Sequence, residues 1–229
     1  MNHRISILLP TYNEADNLPE IVKRLSAINP EYEIVVVDDG SPDGTGQIAE
    51  RLTSQYRVTL LQRGTKLGLA SAVIDGIVKR ATGDIVVIMD ADLSHDESII
   101  PQLVANIEAG SEVAIGSRFA SGGSTEDALL RRIFSWCAKQ VARIVLGVRV
   151  QDPMSGYFAM RRETFVSISH RLKPRGFKIL LEVLVRLRPT HVAEVGFRFR
   201  GRTKGESKLT SKIASEYFRM IWDLWQSSR

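Results

Sequence analysis

Short runs of β-branched and other apolar residues recur through the first half of the chain, at Ile5–Leu9, Ile34–Val37, Val58–Leu61, Ile85–Met89 and Val113–Ile115. Each is followed by a longer segment of helical period, and the alternation predicts a mainly parallel sheet with helices on both faces. The helices have starts and stops in the sequence. Asn17-Leu18-Pro19 opens one near Glu20, Ser41-Pro42-Asp43 opens the second, and Gly83 and Gly110 close the later two. Ligands of such sheets bind beyond the carboxyl ends of the strands. Three polar clusters fall there: Pro10-Thr11-Tyr12-Asn13-Glu14, Asp38-Asp39-Gly40-Ser41 and Asp90-Ala91-Asp92.

After Arg118 the pattern changes. A glycine pair (Gly122-Gly123) precedes a helix expected over Leu129–Leu146, then Asp152-Pro153-Met154-Ser155-Gly156-Tyr157, a helix over Lys178–Leu187 and a strand over Val192–Phe199. A basic, glycine-containing loop follows at 201–208, and Ile213, Tyr217, Met220, Ile221, Leu224 and Trp225 return at helical spacing. The Leu129–Leu146 helix sets large apolar residues beside Arg131, Arg132, Lys139 and Arg143, the pattern of a helix lying in a membrane interface; the C-terminal helix with Trp222 and Trp225 repeats it. An ordinary core-facing helix has the same pattern, so both readings stay open.

Composition narrows this picture without redirecting it. At 229 residues and 44% hydrophobic content, with no internal repeat or linker, the expectation is a single α/β domain over 1–229. Its halves would be 1–118 and 119–229. The apolar runs fall far short of the roughly 20 residues a spanning helix needs, and the N-terminus lacks a signal-peptide pattern. Cys137 is the only cysteine, which rules out an intrachain disulfide and agrees with a reducing compartment. The expected location is therefore cytoplasmic. A net charge of +5 suits an anionic partner and decides nothing alone.

Asp90-x-Asp92 after a buried strand suits a hard divalent cation, Mg²⁺ or Mn²⁺, whose remaining positions go to water and diphosphate oxygens. Aspartates after strands also cap helices, and Asp92 or Ser94 could do so before Glu97. Asp38-Asp39 on the same rim favours the cation, because two acidic strand ends repel unless a cation or donor-rich ligand sits between them. Asp39 suits a base or ribose; its plainer alternative is a cap for residues 42–51. No G-x-x-x-x-G-K-[ST] or G-x-G-x-x-G follows the first strand, so the diphosphate must be held by metal and side chains. Lys178, Arg202 and Lys208 are candidates, the last two on a loop able to close over the site, and Arg118 matches a phosphate bidentately.

These motifs resemble those of family 2 glycosyltransferases of the GT-A type, and within them the dolichyl-phosphate mannose synthases, also called polyprenol-phosphate mannosyltransferases. The resemblance rests on P-T-Y-N-E (10–14), V-V-D-D-G-S-P-D-G-T (36–45), D-A-D-L-S-H (90–95), G-S-R-F with Gly122-Gly123, D-P-M-S-G-Y (152–157), G-F-K-I-L-L-E (176–182) and G-E-S-K-L (205–209). It implies a donor site of Pro10, Tyr12, Glu14, Val37 and Asp39 around the nucleotide, with Asp90, Ala91 and Asp92 at ribose, metal and diphosphate. It places Lys178, Arg202 and Lys208 on the donor phosphates or sugar, and Arg118, Arg131 and Ser135 on the acceptor phosphate. Ser94 stands where some relatives carry a metal-ligating Gln, which would make it a third ligand.

The activity so implied is inverting, metal-dependent transfer of mannose from GDP-mannose to dolichyl or polyprenyl phosphate, with Asp90, Asp92, Arg118, Arg202 and Lys208 as the catalytic set. Some relatives continue into transmembrane helices. This chain would then dock on the cytoplasmic face of a membrane or on a membrane-anchoring partner subunit, or be a shortened form; nucleic acid is not an expected partner. Two alternatives stay open: a hexosyltransferase using a UDP-sugar, and a non-catalytic, nucleotide-responsive membrane-binding protein.

Overall fold

The continuous apolar runs become strands buried on both faces. The computed structural model describes residues 3–125, 140–174, 179–200 and 221–226. In chain order the elements are β1 (Ile5–Thr11), α1 (Leu18–Ile28), β2 (Glu33–Asp38), α2 (Thr45–Leu52), β3 (Val58–Gln62), α3 (Leu69–Lys79), β4 (Ile85–Ile88), a 3₁₀ turn (Glu97–Ile99), α4 (Ile100–Glu108), β5 (Val113–Ser117) and β6 (Ser124–Thr125). They continue with β7 (Phe158–Arg161), α5 (Arg162–Ser169), α6 (Ile179–Leu187), β8 (Val192–Gly196) and β9 (Arg198–Phe199). Helical turns also occupy 140–146 and 221–226.

Seven strands form one sheet in the order β3-β2-β1-β4-β7-β5-β8, and β6 and β9 form a small second sheet. β7 alone runs antiparallel to its neighbours. The mainly parallel sheet expected from the pattern is therefore present. Alternate residues of one strand feed two cores: Ile7 and Leu9 pack with Ile21, Leu25, Leu103 and Ile107, whereas Leu8 packs with Val73, Ile77 and Phe165. Two-sided burial explains why the strands read as unbroken apolar runs rather than as alternations.

Three local expectations change. The sequence analysis offers no strand at Phe158–Arg161, which sits between β4 and β5. The single strand expected over Val192–Phe199 is two, because the backbone of 121–123 crosses directly over Gly196. A Cβ there would lie 2.1 Å from the Ser121 carbonyl oxygen and 2.5 Å from the Gly123 nitrogen, so the chain leaves the main sheet and pairs with β6 instead. The 3₁₀ turn is capped by Asp96, which accepts from the Ser98 amide at 3.1 Å, and not by Asp92 or Ser94. The first part of the expected Leu129–Leu146 helix, Cys137 and the 201–208 loop lie outside the described residues.

Candidate active site

The carboxyl ends of β1, β2 and β4 meet on one rim because the three strands are adjacent and parallel, with Thr11 in register with Asp38 and Leu8 with Ile88. A cavity of about 230 Å³ opens there. Pro10, Thr11, Tyr12 and Glu14 line it from β1, Asp39 from β2, Asp90, Ala91 and Asp92 from β4, and Lys66, Gly68, Leu69 and Ala72 from the β3–α3 connection. Seven residues expected at a donor site, Pro10, Tyr12, Glu14, Asp39, Asp90, Ala91 and Asp92, thus converge.

The loops that form the rim are tied to each other by side chains. Asn13, Glu14 and Ala15 donate backbone N–H groups to Ser41 Oγ, Thr45 Oγ1 and Asp43 Oδ2, at 3.0, 3.0 and 3.1 Å. Much of the S-P-D-G-T segment therefore serves to hold P-T-Y-N-E in place. Asn13 has φ +60°, a left-handed conformation that Asn tolerates better than most residues. The Asp43 carboxyl is opposed by burial but is held below its ordinary value by hydrogen bonds from the Thr45 hydroxyl and from backbone N–H groups, including that of Ala15.

Asp39 does not cap α2. Its Oδ1 accepts from Leu67 N–H at 2.8 Å and its Oδ2 from Gly68 N–H at 2.7 Å, while Arg63 Nη2 stands 2.7 Å from Oδ1. Arg63 is itself buried and reaches Ser71 Oγ (2.7 Å), the Gly68 carbonyl (3.1 Å) and Asp75 (3.4 Å). Neither Arg63 nor Lys66 is among the residues expected here from the sequence. Both follow the carboxyl end of a fourth parallel strand, β3, so the rule that located the other clusters would have found them.

Asp92 is buried and oriented by its own turn: Oδ1 accepts from Ser94 Oγ at 2.5 Å and from Ser94 N–H at 3.1 Å. Ser94, expected as a third metal ligand, is a buried hydroxyl that donates to Asp92 and does not line the cavity. Leu93 between them has φ +62°, which costs on the order of 1 kcal/mol for a side-chain-bearing residue. The Arg200 N–H caps this turn on the Ser94 carbonyl at 3.1 Å. The side chain of Val37, also expected at the nucleotide, packs in the core against α3 at Gly76, one step deeper in the sheet than Asp39 on the same face.

His95 lies beneath Asp90. Its ring stacks on Tyr157 at 5.0 Å and meets the edges of Phe197 and Phe199. The Asp90 N–H donates to Nδ1 at 3.1 Å, which leaves the proton of the neutral ring on Nε2, 3.9 Å from Asp90 Oδ2. Burial pushes the imidazole below its ordinary value, against the opposing pull of Asp90 and Asp92. With Nδ1 accepting the Asp90 N–H, the buried neutral ring has no second lone pair at which to take up a proton.

Arg118 forms a two-pronged pair with the fully buried Asp152, Nε to Oδ2 and Nη2 to Oδ1, both at 2.8 Å; the Arg118 N–H adds a third bond to Oδ2 at 3.1 Å. Glu194 on β8 accepts from the N–H groups of Gln151 (2.8 Å) and Asp152 (3.1 Å) and so fixes the D-P-M-S-G-Y loop. The same loop brings Gly156 against Asp90 and His95. Lys178, Arg131, Ser135, Arg202 and Lys208 lie outside the described residues.

The Glycosyl transferase family 2 model matches residues 6–168, which contain the whole cavity. The chain belongs to this family. It is 46% identical over 228 residues to the dolichol-phosphate mannosyltransferase of Pyrococcus furiosus, an alignment covering 96% of the chain and 63% of that relative. It is 36% identical over 226 residues to the polyprenol monophosphomannose synthase of Mycolicibacterium smegmatis, covering 95% of the chain and 85% of the relative. The chain therefore spans less than two thirds of the length of the Pyrococcus protein. Among solved structures, glucosyl-3-phosphoglycerate synthase from Mycobacterium tuberculosis, in complex with Mn²⁺, UDP-glucose and phosphoglyceric acid, has the same fold: TM-score 0.74 at 20% identity, covering 98% of this chain and 80% of that one. The mixed α/β fold with its mostly parallel seven-stranded sheet is thus shared with that structure.

Proposed function

We propose that this family 2 chain transfers a mannosyl group from GDP-mannose to the phosphate of dolichyl or another polyprenyl phosphate, with inversion. The observation that carries the reading is the convergence of Asp39, Asp90 and Asp92 on one cavity, in a chain whose relatives are named for mannosyl transfer to polyprenol phosphates. In this reading residues 1–118 form the nucleotide-sugar-binding half and 119–229 the acceptor and lid half, whose lid residues reach back to the donor.

The residues present fit a divalent cation. The protein's own ligands would be the Asp90 and Asp92 carboxylates, which line one cavity. One or two carboxylates with substrate phosphates and water is the usual environment of Mg²⁺, and the Mycobacterium structure is a complex with Mn²⁺ and a nucleotide sugar. Bound there, Mg²⁺ or Mn²⁺ would supply charge stabilisation for the departing diphosphate. Asp92 would be held for that task by Ser94, and Asp90 by the His95 floor. A phosphate monoester has a second pKa near 6, so the acceptor is already anionic at neutral pH and needs no base. The buried His95, its Nδ1 already accepting from Asp90 N–H, is consistent with that. Lys178, Arg202 and Lys208 are assigned to the donor, and Arg118, Arg131 and Ser135 to the acceptor phosphate.

The lipid acceptor implies work at a membrane surface. Among the described residues no helix is long and apolar enough to cross a membrane. Ile144 is 80% exposed and Trp222 57% exposed, and both are on helices expected to be interfacial. Transfer of labelled mannose from GDP-mannose to dolichyl phosphate in detergent, with Mg²⁺ or Mn²⁺ and again after chelation, tests the whole proposal. Cation-dependent lipid-linked mannose is expected. Absence of product, together with binding of UDP and not GDP, would move the function to another nucleotide sugar.

A further inference from the structure

Arg118 is held in two ways. Asp152 takes one edge of the guanidinium in its fork, and Cζ lies over two rings, 5.4 Å from the centre of Phe119 and 5.6 Å from that of Phe199. A planar fork resists sliding within its own plane and is softest to hinging out of it. A ring against the guanidinium opposes the motion that the carboxylate leaves open.

The two rings are not equivalent. Phe119 is the next residue of the chain and is 37% exposed, so it moves with Arg118. Phe199 belongs to β9 and is fixed independently. Its ring makes edge contacts with His95 at 5.9 Å and Phe197 at 6.3 Å, its backbone is in register with Thr125 of β6, and the next N–H, that of Arg200, bonds the Ser94 carbonyl at 3.1 Å. Strand alternation puts Phe197 and Phe199 on one side, with Arg198 exposed between them. His95 in turn stacks on Tyr157 and accepts from the Asp90 N–H. One run of rings therefore supports Asp90 at one end and Arg118 at the other.

Resting on the assignment of Arg118 to the acceptor phosphate above, we propose that Phe199 is a positioning residue for the acceptor. Its ring sets the tilt of the Arg118 guanidinium and takes its own place from the His95 floor beneath Asp90. The turn that carries the donor-side carboxylates thereby also orients the acceptor arginine. The contact calls for the negative face of an aromatic ring, which apolar bulk alone does not supply.

Steady-state transfer from GDP-mannose to dolichyl phosphate in wild type, Phe199→Leu and Phe199→Tyr tests this, together with a double-mutant cycle of Phe199→Leu and Arg118→Met read by urea unfolding. Leucine keeps apolar bulk and loses the ring face. Phe199→Leu raises KM for dolichyl phosphate by about three- to tenfold, the worth of a partly desolvated cation–π contact. KM for GDP-mannose stays within about twofold of wild type, and Phe199→Tyr restores the acceptor KM. The cycle returns a coupling of about the same size in the unfolding constant. A ring that only fills space would move both KM values together, or leave the cycle without coupling, and either result overturns the proposal. So does an acceptor KM in Phe199→Leu equal to wild type. Absence of transfer in the wild type is the failure of the mannosyl reading itself and withdraws the acceptor role with it; transfer with an unmoved acceptor KM is the failure of this proposal alone.

Discussion

Arg63 Nη2 and Asp39 Oδ1 are 2.7 Å apart, and each side chain is only 6% exposed. Their pairing fixes Asp39 from behind while the Leu67 and Gly68 amides fix it from the side. Removing Arg63 leaves a buried carboxylate without its counter-charge. Arg63→Met should cost about 3 kcal/mol of stability and loosen the β3–α3 connection that completes the cavity. Urea denaturation checks the first part. A midpoint equal to wild type would mean that the two amides suffice and that Arg63 is dispensable.

Asp92 and Ser94 are expected to differ in degree. Asp92→Ala should nearly abolish transfer at saturating Mg²⁺ or Mn²⁺. Ser94→Ala only frees the carboxylate to turn, and should lower turnover about tenfold, the worth of one charge-assisted hydrogen bond. The metal concentration giving half-maximal rate should rise in Ser94→Ala. Full activity in Asp92→Ala would remove the cation from Asp90 and Asp92.

How far the sequence shows this site depends on the kind of constraint. Asp39, Asp90 and Asp92 are visible because strand ends are visible, and parallel neighbours bring those ends together. Arg63 and Lys66 also follow a strand end, but residue type there does not distinguish them from solvated basic residues; what sets them apart is Asp39, 24 or more positions earlier. β7 is hidden for another reason. Phe158–Arg161 is a short run directly followed by α5, and only the gap between β4 and β5, a tertiary fact, makes it a strand. Val37 is another case: the motif includes it, and its side chain is buried by packing against α3.

Glu112 gives a pH test of the frame behind the site. Its carboxylate is held below its ordinary value chiefly by the Thr190 backbone N–H, with the His191 N–H and the Thr190 hydroxyl helping and burial opposing. A lowered folded-state pKa means that the stabilisation is full above the ordinary value of 4.5 and is lost as pH falls through the lower folded value. Glu112→Gln should therefore melt below wild type at pH 7, with the gap closing toward pH 3. Thermal unfolding across that range decides it; a gap that widened on acidification would have the wrong sign.

Exposed apolar side chains offer a test of surface docking. Trp222→Ser should weaken sedimentation with anionic vesicles without changing GDP binding, because Ile221 and Leu224 hold the helix in the core. Unaltered sedimentation would assign Trp222 to some other contact.

Arg118 is expected on the acceptor phosphate, yet the structure engages it with Asp152 through two side-chain N–H groups. The two statements are compatible, since a guanidinium has five N–H donors and the fork to Asp152 uses two of them. They make different predictions for charge and for geometry. Arg118→Lys keeps the charge but cannot span both Asp152 oxygens. If the fork positions the acceptor, Arg118→Lys should raise KM for the polyprenyl phosphate by about tenfold, one hydrogen bond to a charged group, and leave KM for GDP-mannose near wild type. Asp152→Asn should do the same, because the loop pinned by Glu194 would still present a side chain of the same shape with one good acceptor instead of two. A double-mutant cycle on stability with Arg118→Met and Asp152→Leu should return a coupling of about 2 kcal/mol. Coupling of that size with an unchanged acceptor KM in both conservative variants would make the pair a structural clasp, and would leave the acceptor phosphate to other residues.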